Sequence, residues 1–403
     1  MKRIILHIDV NNAFLSWSAL YLLKQGYKYD IRNSYAVIGG DETKRKGVVL
    51  AKSNSCKKLG IVTGETLYSA RKKCKVLKVY EPNYQFYQQM SKSLFELLGK
   101  YTDEIEVFSI DECFFEYTHI KHIYGNEIEF AHKLKDEIYE KLGFTVNIGI
   151  ANNKLCAKMA SDFLKPNRVH TLYDEEIKIK MYPLPIEDLF GIGKKTAPKL
   201  RKLNINTIGD LAQKDEYELY KYFKNSAIKM IEAARGIDES PVKKIKEEAK
   251  GIGNSVTLER DYDDKIEIYK VLEELSDNVT RSLRNQKKYA YVVSVQIKDC
   301  YFNTKQHQMK LINATNVSEI VFKTSKKLFD EMWDLTPIRL IGIRLDKLVS
   351  INNVQVSLFE NIKIDEDAKK LQTTLDKLQE KYGSSIINTA SLTNKKISKK
   401  YLK

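Results

Sequence analysis

The chain has 403 residues, with 68 lysines and arginines against 53 aspartates and glutamates, which gives a net charge of +15. Hydrophobic residues make up 43% of it, which is enough for globular cores and excludes a wholly disordered chain. No apolar run reaches the roughly 18–20 residues that cross a bilayer, and the first residues lack a signal-peptide cleavage pattern. Five cysteines without CxxC spacing favour a reducing, cytoplasmic location, and the basic charge favours a polyanionic partner.

The first part of the chain predicts a mixed α/β domain with one insertion. A β-prone apolar run ends at Asp9, and apolar residues at helical spacing follow it. Residues 31–75 alternate short apolar runs with basic turns, which indicates a small basic subdomain. A helix over 83–101 then precedes the strand pair EIEVFSI and CFFEYT, a helix over 127–142, the strand FTVNIGIA and a helix that ends at Pro166. This order is typical of a ferredoxin-like sheet.

The second part predicts two further domains and a tail. Residues 171–240 read as helices punctuated by glycine, and the charged stretch 241–250 reads as a linker. Residues 251–350 then show a second β-α-β-β-α-β order, without sequence similarity to the first.

Three acidic side chains stand where apolar strands end. Asp9 closes the first strand, and Asp111 with Glu112 joins the two strands of the predicted hairpin. A ferredoxin-like order places the first strand beside that hairpin, so the three carboxylates can converge at one sheet edge. Their mutual repulsion calls for a cation, and oxygen-only ligands suit Mg²⁺ or Mn²⁺. Two such ions are the usual device for displacement at phosphorus, although each acid taken alone is equally an ordinary turn residue.

HIDVNNAFLS and FSIDECFFEYT resemble the two signature segments of the Y-family DNA polymerases, the DinB/UmuC-like lesion-bypass enzymes. NIGIANNKLCAKMASDFLKPN is similar to the palm strand and following helix of that family, and the resemblance covers residues 1–350 in order. It implies that Asp9 and Asp111 bind both of two Mg²⁺ ions, with Glu112 and the main-chain carbonyl of Val10 as further ligands. It also implies a bacterial, template-dependent, low-fidelity DNA polymerase. Such an enzyme transfers dNMP from a dNTP to a primer 3′-hydroxyl for lesion bypass in DNA repair and the SOS response.

The same resemblance assigns residues to the nucleotide pocket. Phe14 matches the steric gate that rejects a ribose 2′-hydroxyl, and Ala13 stands where the family usually has a first aromatic. In AKSNSCKKLG, Asn54 and Lys57 replace the tyrosine and arginine that touch the triphosphate in the family. Lys158 matches a palm lysine that reaches the same phosphates. Without the resemblance, Phe14 reads as a core aromatic and the two lysines read as solvated surface charges.

Two regions are expected to grip the DNA backbone without reading its bases. FGIGKKTAPKL has the glycines of a helix-hairpin-helix, whose small size lets the main chain approach a phosphate. Residues 251–350 resemble the little finger of the family, which lies on the template duplex. The expected phosphate contacts are Gly191, Gly193, Lys194, Lys195, Arg281, Arg284, Lys287, Lys288 and the region Lys305–Lys310. For the little-finger residues among them, a solvated surface is the alternative interpretation.

The segment Gln355-Val356-Ser357-Leu358-Phe359 closely resembles the bacterial sliding-clamp motif. In that motif the side chains matching Gln355, Leu358 and Phe359 enter a pocket on the β clamp of DNA polymerase III. An ordinary edge strand is the alternative interpretation.

The resemblance implies an α+β multidomain fold with a ferredoxin-like palm, a small fingers insertion, a helical helix-hairpin-helix thumb and a βαββαβ little-finger domain. The expected bounds are palm 1–10 and 76–170, fingers 11–75, thumb 171–240, linker 241–250, little finger 251–350, and a tail with the clamp motif 351–403. We expect a cytoplasmic monomer that works on primer–template DNA and dNTPs, without a membrane. Two alternatives stay open: a non-catalytic DNA- or clamp-binding protein of the same fold, and a nucleotide cyclase. The cyclase is considered because residues 39–42 spell the GGDE of diguanylate cyclases.

Overall fold

The computed structural model describes residues 2–42, 45, 47–244, 248–350, 371, 374–378 and 381–382. The chain forms two compact units. Unit 1 comprises Met1–Gly40 and Gly47–Lys246, and unit 2 comprises Asp41–Lys46 and Glu247–Lys403. Within the described ranges, no helix is both long and apolar enough to span a membrane.

Unit 1 combines two β-sheets with helices. Its strands are β1 (Ile5–Val10), β2 (Ala36–Gly39), β3 (Val49–Lys52), β4 (Lys78–Tyr80), β5 (Ile105–Val107), β6 (Glu112–Glu116), β7 (Val146–Ala151) and β8 (Val169–Leu172). Its helices are α1 (Ala13–Lys24), α2 (Asn54–Lys58), α3 (Leu67–Lys73), α4 (Tyr84–Leu98), α5 (Lys121–Tyr124), α6 (Glu127–Leu142), α7 (Lys154–Ser161), α8 (Ala197–Arg201), α9 (Ile208–Ala212), α10 (Glu216–Phe223) and α11 (Ser226–Ala234).

The larger sheet has the spatial order β5-β6-β1-β7-β8, so β1 lies at its centre between β6 and β7. Both neighbours of β1 run antiparallel to it, and β7 pairs with β8 in parallel. Every residue of β7 is buried, because helices cover both faces of the sheet. The prediction of a ferredoxin-like sheet with the first strand beside the hairpin is therefore confirmed.

Helix α7 lies directly on β7 because Gly149 has no side chain. A Cβ atom at that position would lie 2.0 Å from the carbonyl oxygen of Ala157 and 2.4 Å from the amide nitrogen of Ser161. The helix begins at Asn153, whose side chain accepts a hydrogen bond from the Cys156 amide at 2.8 Å. This close approach brings the side chains of α7 to the centre of the large sheet.

The smaller sheet has the order β3-β2-β4 and forms the core of the insertion. Its boundaries differ from the predicted fingers bounds of 11–75, because β4 lies beyond residue 75. Helix α1 also belongs to both parts: Trp17 packs in the core of the large sheet, while Leu15 and Ala19 pack with β2. A helix with two apolar faces leaves no break in the chain at residue 11.

Residues 174–234, which follow β8, form short helices and turns, as the glycine-punctuated sequence predicts. A 3₁₀ turn over Ile186–Asp188 leads through a glycine turn into α8, and α9 to α11 follow. Ile192, Leu200 and Ile205 are buried in one apolar cluster with these helices.

Unit 2 has the predicted β-α-β-β-α-β order. Its elements are β9 (Gly251–Tyr262), α12 (Lys265–Asn285), β10 (Lys288–Asp299), β11 (Thr304–Thr315), α13 (Ser318–Met332) and β12 (Ile338–Ser350). The sheet order is β11-β10-β12-β9, with every neighbouring pair antiparallel. Apolar side chains of α12 and α13 form one core with the sheet. The predicted α+β multidomain fold is confirmed.

Candidate active site

Asp9 and Glu112 lie opposite each other on β1 and β6, and Asp111 directly precedes Glu112 at the same end of the hairpin. Asp9 pairs with Glu112 in the register of the two strands, and the Val10 amide donates to the Asp111 carbonyl at 2.9 Å. The Ser109 hydroxyl donates to Oδ1 of Asp111 at 2.6 Å, which holds the turn before β6. The side chains of Asp9 and Glu112 are only 17% and 15% exposed, so water screens their charges poorly.

Each of the two strand carboxylates has a cationic partner. Nζ of Lys165 lies 2.9 Å from Oδ2 of Asp9 and 2.8 Å from Oδ1 of Asp162. The Lys158 ammonium donates to Oε2 of Glu112. Nε2 of His7 lies 3.2 Å from that same oxygen.

The partners set the protonation of the acids. Burial raises the pKa of Asp9, and the neighbouring Lys165 opposes that rise. Burial by itself would also raise the pKa of Glu112, but its contacts with His7 and Lys158 lower it to about 2. Burial lowers the pKa of His7, so its imidazole is neutral near pH 7.

The donor set fits a hard divalent cation. Three carboxylates on paired strands offer oxygen ligands alone, and their charge is balanced by ammonium groups that a metal ion could replace. Within the described ranges, no three acidic, histidine or cysteine side chains are already gathered as a complete metal cluster. The carboxylates face lysine, histidine and serine partners instead.

Phe14 lies on the first turn of α1, shortly after Asp9 in sequence, and packs against other aromatic rings. Its ring is stacked on Tyr87, with centroids 4.9 Å apart and an angle of 9° between the planes. The Tyr87 hydroxyl lies 2.5 Å from Oγ of Ser18, which fixes the lower ring. Ala13 beside Phe14 is buried, so it adds no aromatic surface to this layer.

Asn54 and Lys57 lie on the short helix α2 of the insertion. Both side chains are exposed, and Ser53 before them accepts a hydrogen bond from the Cys56 amide at 3.2 Å, which starts the helix. Lys52 is close by, since burial and the charge of Lys57 lower the pKa of Lys52. The insertion thus presents two neighbouring ammonium groups.

Lys158 and Lys165 differ in exposure and in the carboxylate that each contacts, which the sequence did not show. The Lys158 side chain is 10% exposed and its ammonium lies over the rings of Phe108 and Phe190, at 5.4 and 5.2 Å from their centroids. It is therefore engaged with Glu112 and two aromatic rings. Lys165 is 37% exposed and lies at Asp9, which makes it the better placed of the two to meet an incoming anion.

Sequence reasoning missed Lys165, although it lies in the quoted segment SDFLKPN. Two asparagines tie this segment to the large sheet, one directly after β1 and one on β7. The Asn167 amide donates to Oδ1 of Asn11 at 2.8 Å, and the Asn147 side chain donates to the Leu164 carbonyl at 2.8 Å. The sequence alone contains no signal for Lys165, because these contacts form only in the folded chain.

The glycine turn of the helical region has the geometry that the motif requires. Gly191 has a φ of +95°, which only glycine adopts easily. A Cβ on Gly191 or Gly193 would meet nothing within 4 Å, so the main chain here is open to a ligand. Lys194 and Lys195 follow with exposed side chains, and Ile192 anchors the turn in the apolar core.

Arg281 and Arg284 lie on α12, on the face of the unit 2 sheet that the helices cover. The Arg284 guanidinium donates to Oδ2 of Asp376 at 2.5 Å and to the Asn316 carbonyl at 2.7 Å, and its side chain is only 11% exposed. Nε of Arg281 is 3.6 Å from Oδ1 of Asp376. Both arginines are thus engaged within unit 2, which does not favour their predicted phosphate contacts.

The opposite face of that sheet is polar and open. A shallow cavity on it is lined by backbone and polar side chains of four strands: Gly253, Asn254, Ser255, Ser294, Gln296, Gln306, Gly342, Ile343 and Arg344. Of this surface, sequence reasoning included only the part of β11 within Lys305–Lys310, which contains Gln306. The signal was the alternation along β10, where buried valines alternate with serine and glutamine.

The clamp motif lies outside the described residues, so the roles of Gln355, Leu358 and Phe359 stay predictions.

Comparison with known proteins gives consistent matches along the chain. Residues 8–162 match the impB/mucB/samB family, residues 174–205 the IMS family HHH motif, and residues 249–358 the impB/mucB/samB family C-terminal domain. DNA polymerase IV of Clostridium acetobutylicum is 45% identical over 98% of this chain and 99% of its own length. DNA polymerase IV of Clostridium kluyveri is 33% identical over 98% and 99%, and DNA polymerase IV 1 of Bacillus subtilis is 32% identical over 99% and 95%.

A solved structure of a Y-family DNA polymerase chimera has the same fold. It superposes with a TM-score of 0.74 at 24% identity, over 86% of this chain and 99% of the chimera. Together with the full-length sequence matches, these comparisons show that the chain belongs to the Y-family DNA polymerases, metal-dependent enzymes that act on primer–template DNA and dNTPs.

Proposed function

We propose that this chain extends a DNA primer on a template strand by transferring dNMP from a dNTP to the primer 3′-hydroxyl. We further propose that it does so with low fidelity, in lesion bypass during DNA repair and the SOS response. The observation that carries the proposal is the pairing of Asp9 with Glu112 across β1 and β6, with Asp111 bonded to Val10 beside them. This arrangement chiefly supplies oxygen ligands for a metal ion at a sheet edge.

The residues proposed to hold two Mg²⁺ ions are Asp9, Asp111, Glu112 and the main-chain carbonyl of Val10, and Mn²⁺ is a suitable substitute. Bound there, the ions would activate the primer hydroxyl and stabilise the charge that develops on the transferred phosphoryl group. The role of the chain is to keep the carboxylates ionised beforehand. Lys165 does this for Asp9, and Lys158 does it for Glu112.

The nucleotide would be held by side chains from both sheets of unit 1. Lys165 offers an ammonium group to the triphosphate, and Asn54 and Lys57 offer a donor and a second charge from the insertion. Phe14, backed by Tyr87, would form the wall that rejects a 2′-hydroxyl. Ala13 adds no aromatic ring to this wall.

The DNA backbone would be held by two surfaces. Gly191, Gly193, Lys194 and Lys195 offer open main chain and charge to one phosphate run. The polar face of the unit 2 sheet, with Arg344 on it, is the second surface, and we propose it in place of Arg281 and Arg284. Contacts of this kind do not depend on base sequence.

Three further proposals rest on sequence. Residues 355–359 would bind the β sliding clamp. The chain would act as a monomer in the cytoplasm, where chromosomal DNA and dNTPs are found. Light scattering measures the mass of the protein in solution and so tests the monomer proposal, which a stable dimer would contradict.

Primer extension with Mg²⁺ and each dNTP tests the enzymatic proposal. Asp111→Asn and Glu112→Gln should each lower incorporation by at least about 100-fold, because they remove metal charge from the reacting phosphoryl group. Asp136→Asn is the matched control, since Asp136 is an exposed carboxylate on α6 paired with Lys135. Near wild-type extension by either site variant, with DNA binding intact, would refute the assignment.

Neither alternative function is favoured. The GGDE residues begin at Gly39, the last residue of β2, in the small sheet and not in the hairpin of the large sheet. This position and the family membership overturn the cyclase interpretation. A non-catalytic binding protein would have no need for half-buried carboxylates such as Asp9 and Glu112 with lysine partners, and the extension assay separates it directly.

A further inference from the structure

Two buried asparagines lie next to Asp9 in the large sheet. Asn147 on β7 lies opposite Asp9 in the register of β1 and β7, and Asn11 follows directly after β1. Asn147 has no exposed surface, and Asn11 is buried as well. Nδ2 of Asn11 donates to Oδ1 of Asn147 at 3.1 Å. The two side-chain amides are therefore bonded to each other, and we call them the asparagine pair.

The asparagine pair holds the main chain that precedes Lys165. Nδ2 of Asn147 donates to the Leu164 carbonyl at 2.8 Å and to the Ser161 carbonyl at 3.0 Å. The Leu164 carbonyl belongs to the planar peptide group that joins Leu164 to Lys165, so this bond fixes the chain directly before the lysine. Nε2 of His170 also lies 3.0 Å from that carbonyl oxygen, so two side chains contact it.

The asparagine pair also holds the main chain that follows Lys165. Oδ1 of Asn11 accepts a hydrogen bond from the Asn167 amide at 2.8 Å, and Oδ1 of Asn147 accepts one from the Arg168 amide at 3.1 Å. Asn147 thus uses both of its N–H donors and both lone pairs of its side-chain oxygen. Since its nitrogen faces only carbonyls and its oxygen faces only N–H groups, a single orientation of this amide fits.

Lys165 lies between these bonded main-chain groups, and its side chain reaches the site. Its ammonium group lies 2.9 Å from Oδ2 of Asp9, and the side chain is 37% exposed. A lysine on an unrestrained loop must be ordered when its ligand binds, and the lost conformational freedom lowers affinity. A main chain that is fixed beforehand removes the backbone part of this cost.

We propose that Asn147 and Asn11 are positioning residues that hold Lys165 where it contacts the triphosphate of an incoming dNTP. Neutral amides suit this role, because they bring no charge next to Asp9 and do not repel a phosphate. The proposal rests on the proposed function in one respect, the contact of Lys165 with the triphosphate.

The direct test measures dNTP affinity without the reaction. The full chain is bound to Mg²⁺ and to a primer–template whose primer ends in a dideoxynucleotide, and the complementary dNTP is titrated by calorimetry. We expect Asn11→Ala to weaken dNTP binding about 5-fold and Lys165→Met to weaken it about 10-fold. The double variant should bind no more weakly than Lys165→Met alone, because the asparagine pair acts through that lysine. Asn152→Ala is the matched control, since Asn152 donates to the Arg3 main chain elsewhere in unit 1.

A second measurement reports on the loop itself. Hydrogen exchange of the main chain, followed by mass spectrometry of fragments that cover residues 164–170, should be faster in Asn11→Ala than in the wild type. The reason is that this variant removes the acceptor of the Asn167 amide. An unchanged exchange rate would show that the asparagine pair does not hold the loop, and would overturn the proposal.

Two affinity results would also overturn the proposal. Wild-type dNTP affinity in Asn11→Ala would show that Lys165 needs no such positioning. A loss from Asn11→Ala that is equally large in the Lys165→Met background would assign the effect to a structural role that is independent of the lysine. If Asn11→Ala does not fold, Asn147→Ser takes its place under the same criteria, since a serine hydroxyl is too short to replace the amide contacts.

The wild-type chain separates this proposal from the function itself. A wild-type chain that binds the dNTP but does not extend a primer would refute the proposed polymerase activity. The dNTP affinities of the variants would still decide the role of the asparagine pair.

Discussion

The acidic residues of the site depend on neighbours of three chemical kinds. Glu112 is held ionised by His7 and Lys158, Asp9 by Lys165, and Asp111 accepts from the Ser109 hydroxyl. Burial raises the pKa of Asp9 and by itself would raise the pKa of Glu112. The basic partners oppose this rise and favour the ionised form of these two proposed metal ligands, and the two lysines carry a further expectation.

The two lysines should affect different kinetic constants. Lys165→Met removes an exposed ammonium beside Asp9, so we expect KM for dNTP to rise about 10-fold with a smaller change in kcat. Lys158→Met removes the partner of Glu112, so we expect kcat to fall instead. Steady-state incorporation of one dNTP measures both. A larger KM effect from Lys158→Met would favour the sequence-based assignment of that lysine to the triphosphate.

Sugar selection should depend on the ring of Phe14. Phe14→Ala removes the upper ring of the stack on Tyr87, so the ratio of kcat/KM for a dNTP over its rNTP should fall by about 10-fold or more. Phe95→Ala is the control, since Phe95 is a half-buried aromatic further along α4. An unchanged ratio in Phe14→Ala would place the gate elsewhere in the pocket.

At the scale of elements, the site depends on the close packing of α7 against β7. Two of its side chains contact other residues of the site: Lys158 contacts Glu112, and Ser161 contacts His7. The helix can lie this close only because β7 has a glycine at its centre.

Gly149→Ala should therefore disturb stability and site together. The new methyl group would collide with backbone atoms of α7, which cannot move aside as a flexible side chain can. We expect a loss of about 1–3 kcal/mol in the free energy of unfolding, measured by urea titration. A urea-unfolding midpoint and slope equal to those of the wild type would contradict the close packing of α7 against β7.

The glycine turn before α8 should contribute to DNA affinity through charge. Replacing Lys194 and Lys195 together by alanine should reduce the slope of log K against log salt by roughly one for each lost phosphate contact. Affinity should fall similarly for primer–templates of different sequence. Lys229→Ala, an exposed lysine on α11, is the control. A double variant with the wild-type slope would remove this turn from the DNA interface.

At the scale of the whole molecule, excess positive charge is distributed over both units. The net charge of +15 suits a protein that slides on any DNA sequence, because phosphate contacts dominate such binding. We propose that retention at the primer end depends on a separate tether.

The proposed clamp motif should act as that tether and leave the chemistry unchanged. Leu358→Ala with Phe359→Ala should preserve distributive primer extension and abolish its stimulation by a loaded clamp. The reason is that a short peptide binds through one or two buried apolar anchors, each worth on the order of 2 kcal/mol. Pull-down of the clamp by peptide 350–362 measures the contact. Equal retention by the wild-type and double-alanine peptides would show that the clamp contact lies elsewhere.

Much of this protein was determined by local sequence. The order of strands and helices, the acids at the ends of β1 and before β6, and the glycine turn were all predicted, and the structure contains each of them. Such features depend on short-range periodicity and on backbone conformations that few residues adopt, so they can be recognised without the fold. The family resemblance then predicted that these acids bind metal ions.

Only the tertiary structure decided which side chains meet. Lys158 and Lys165 are seven residues apart and chemically identical, yet one is buried against Glu112 and the other lies at Asp9. His7 reads as a strand residue until α7 and β6 close around it. Arg281 and Arg284 read as DNA contacts until α12 is placed on the covered face of its sheet. The physical reason is that such contacts depend on strand register, on the rotation of a helix about its axis and on which face is buried, and long-range packing sets all three.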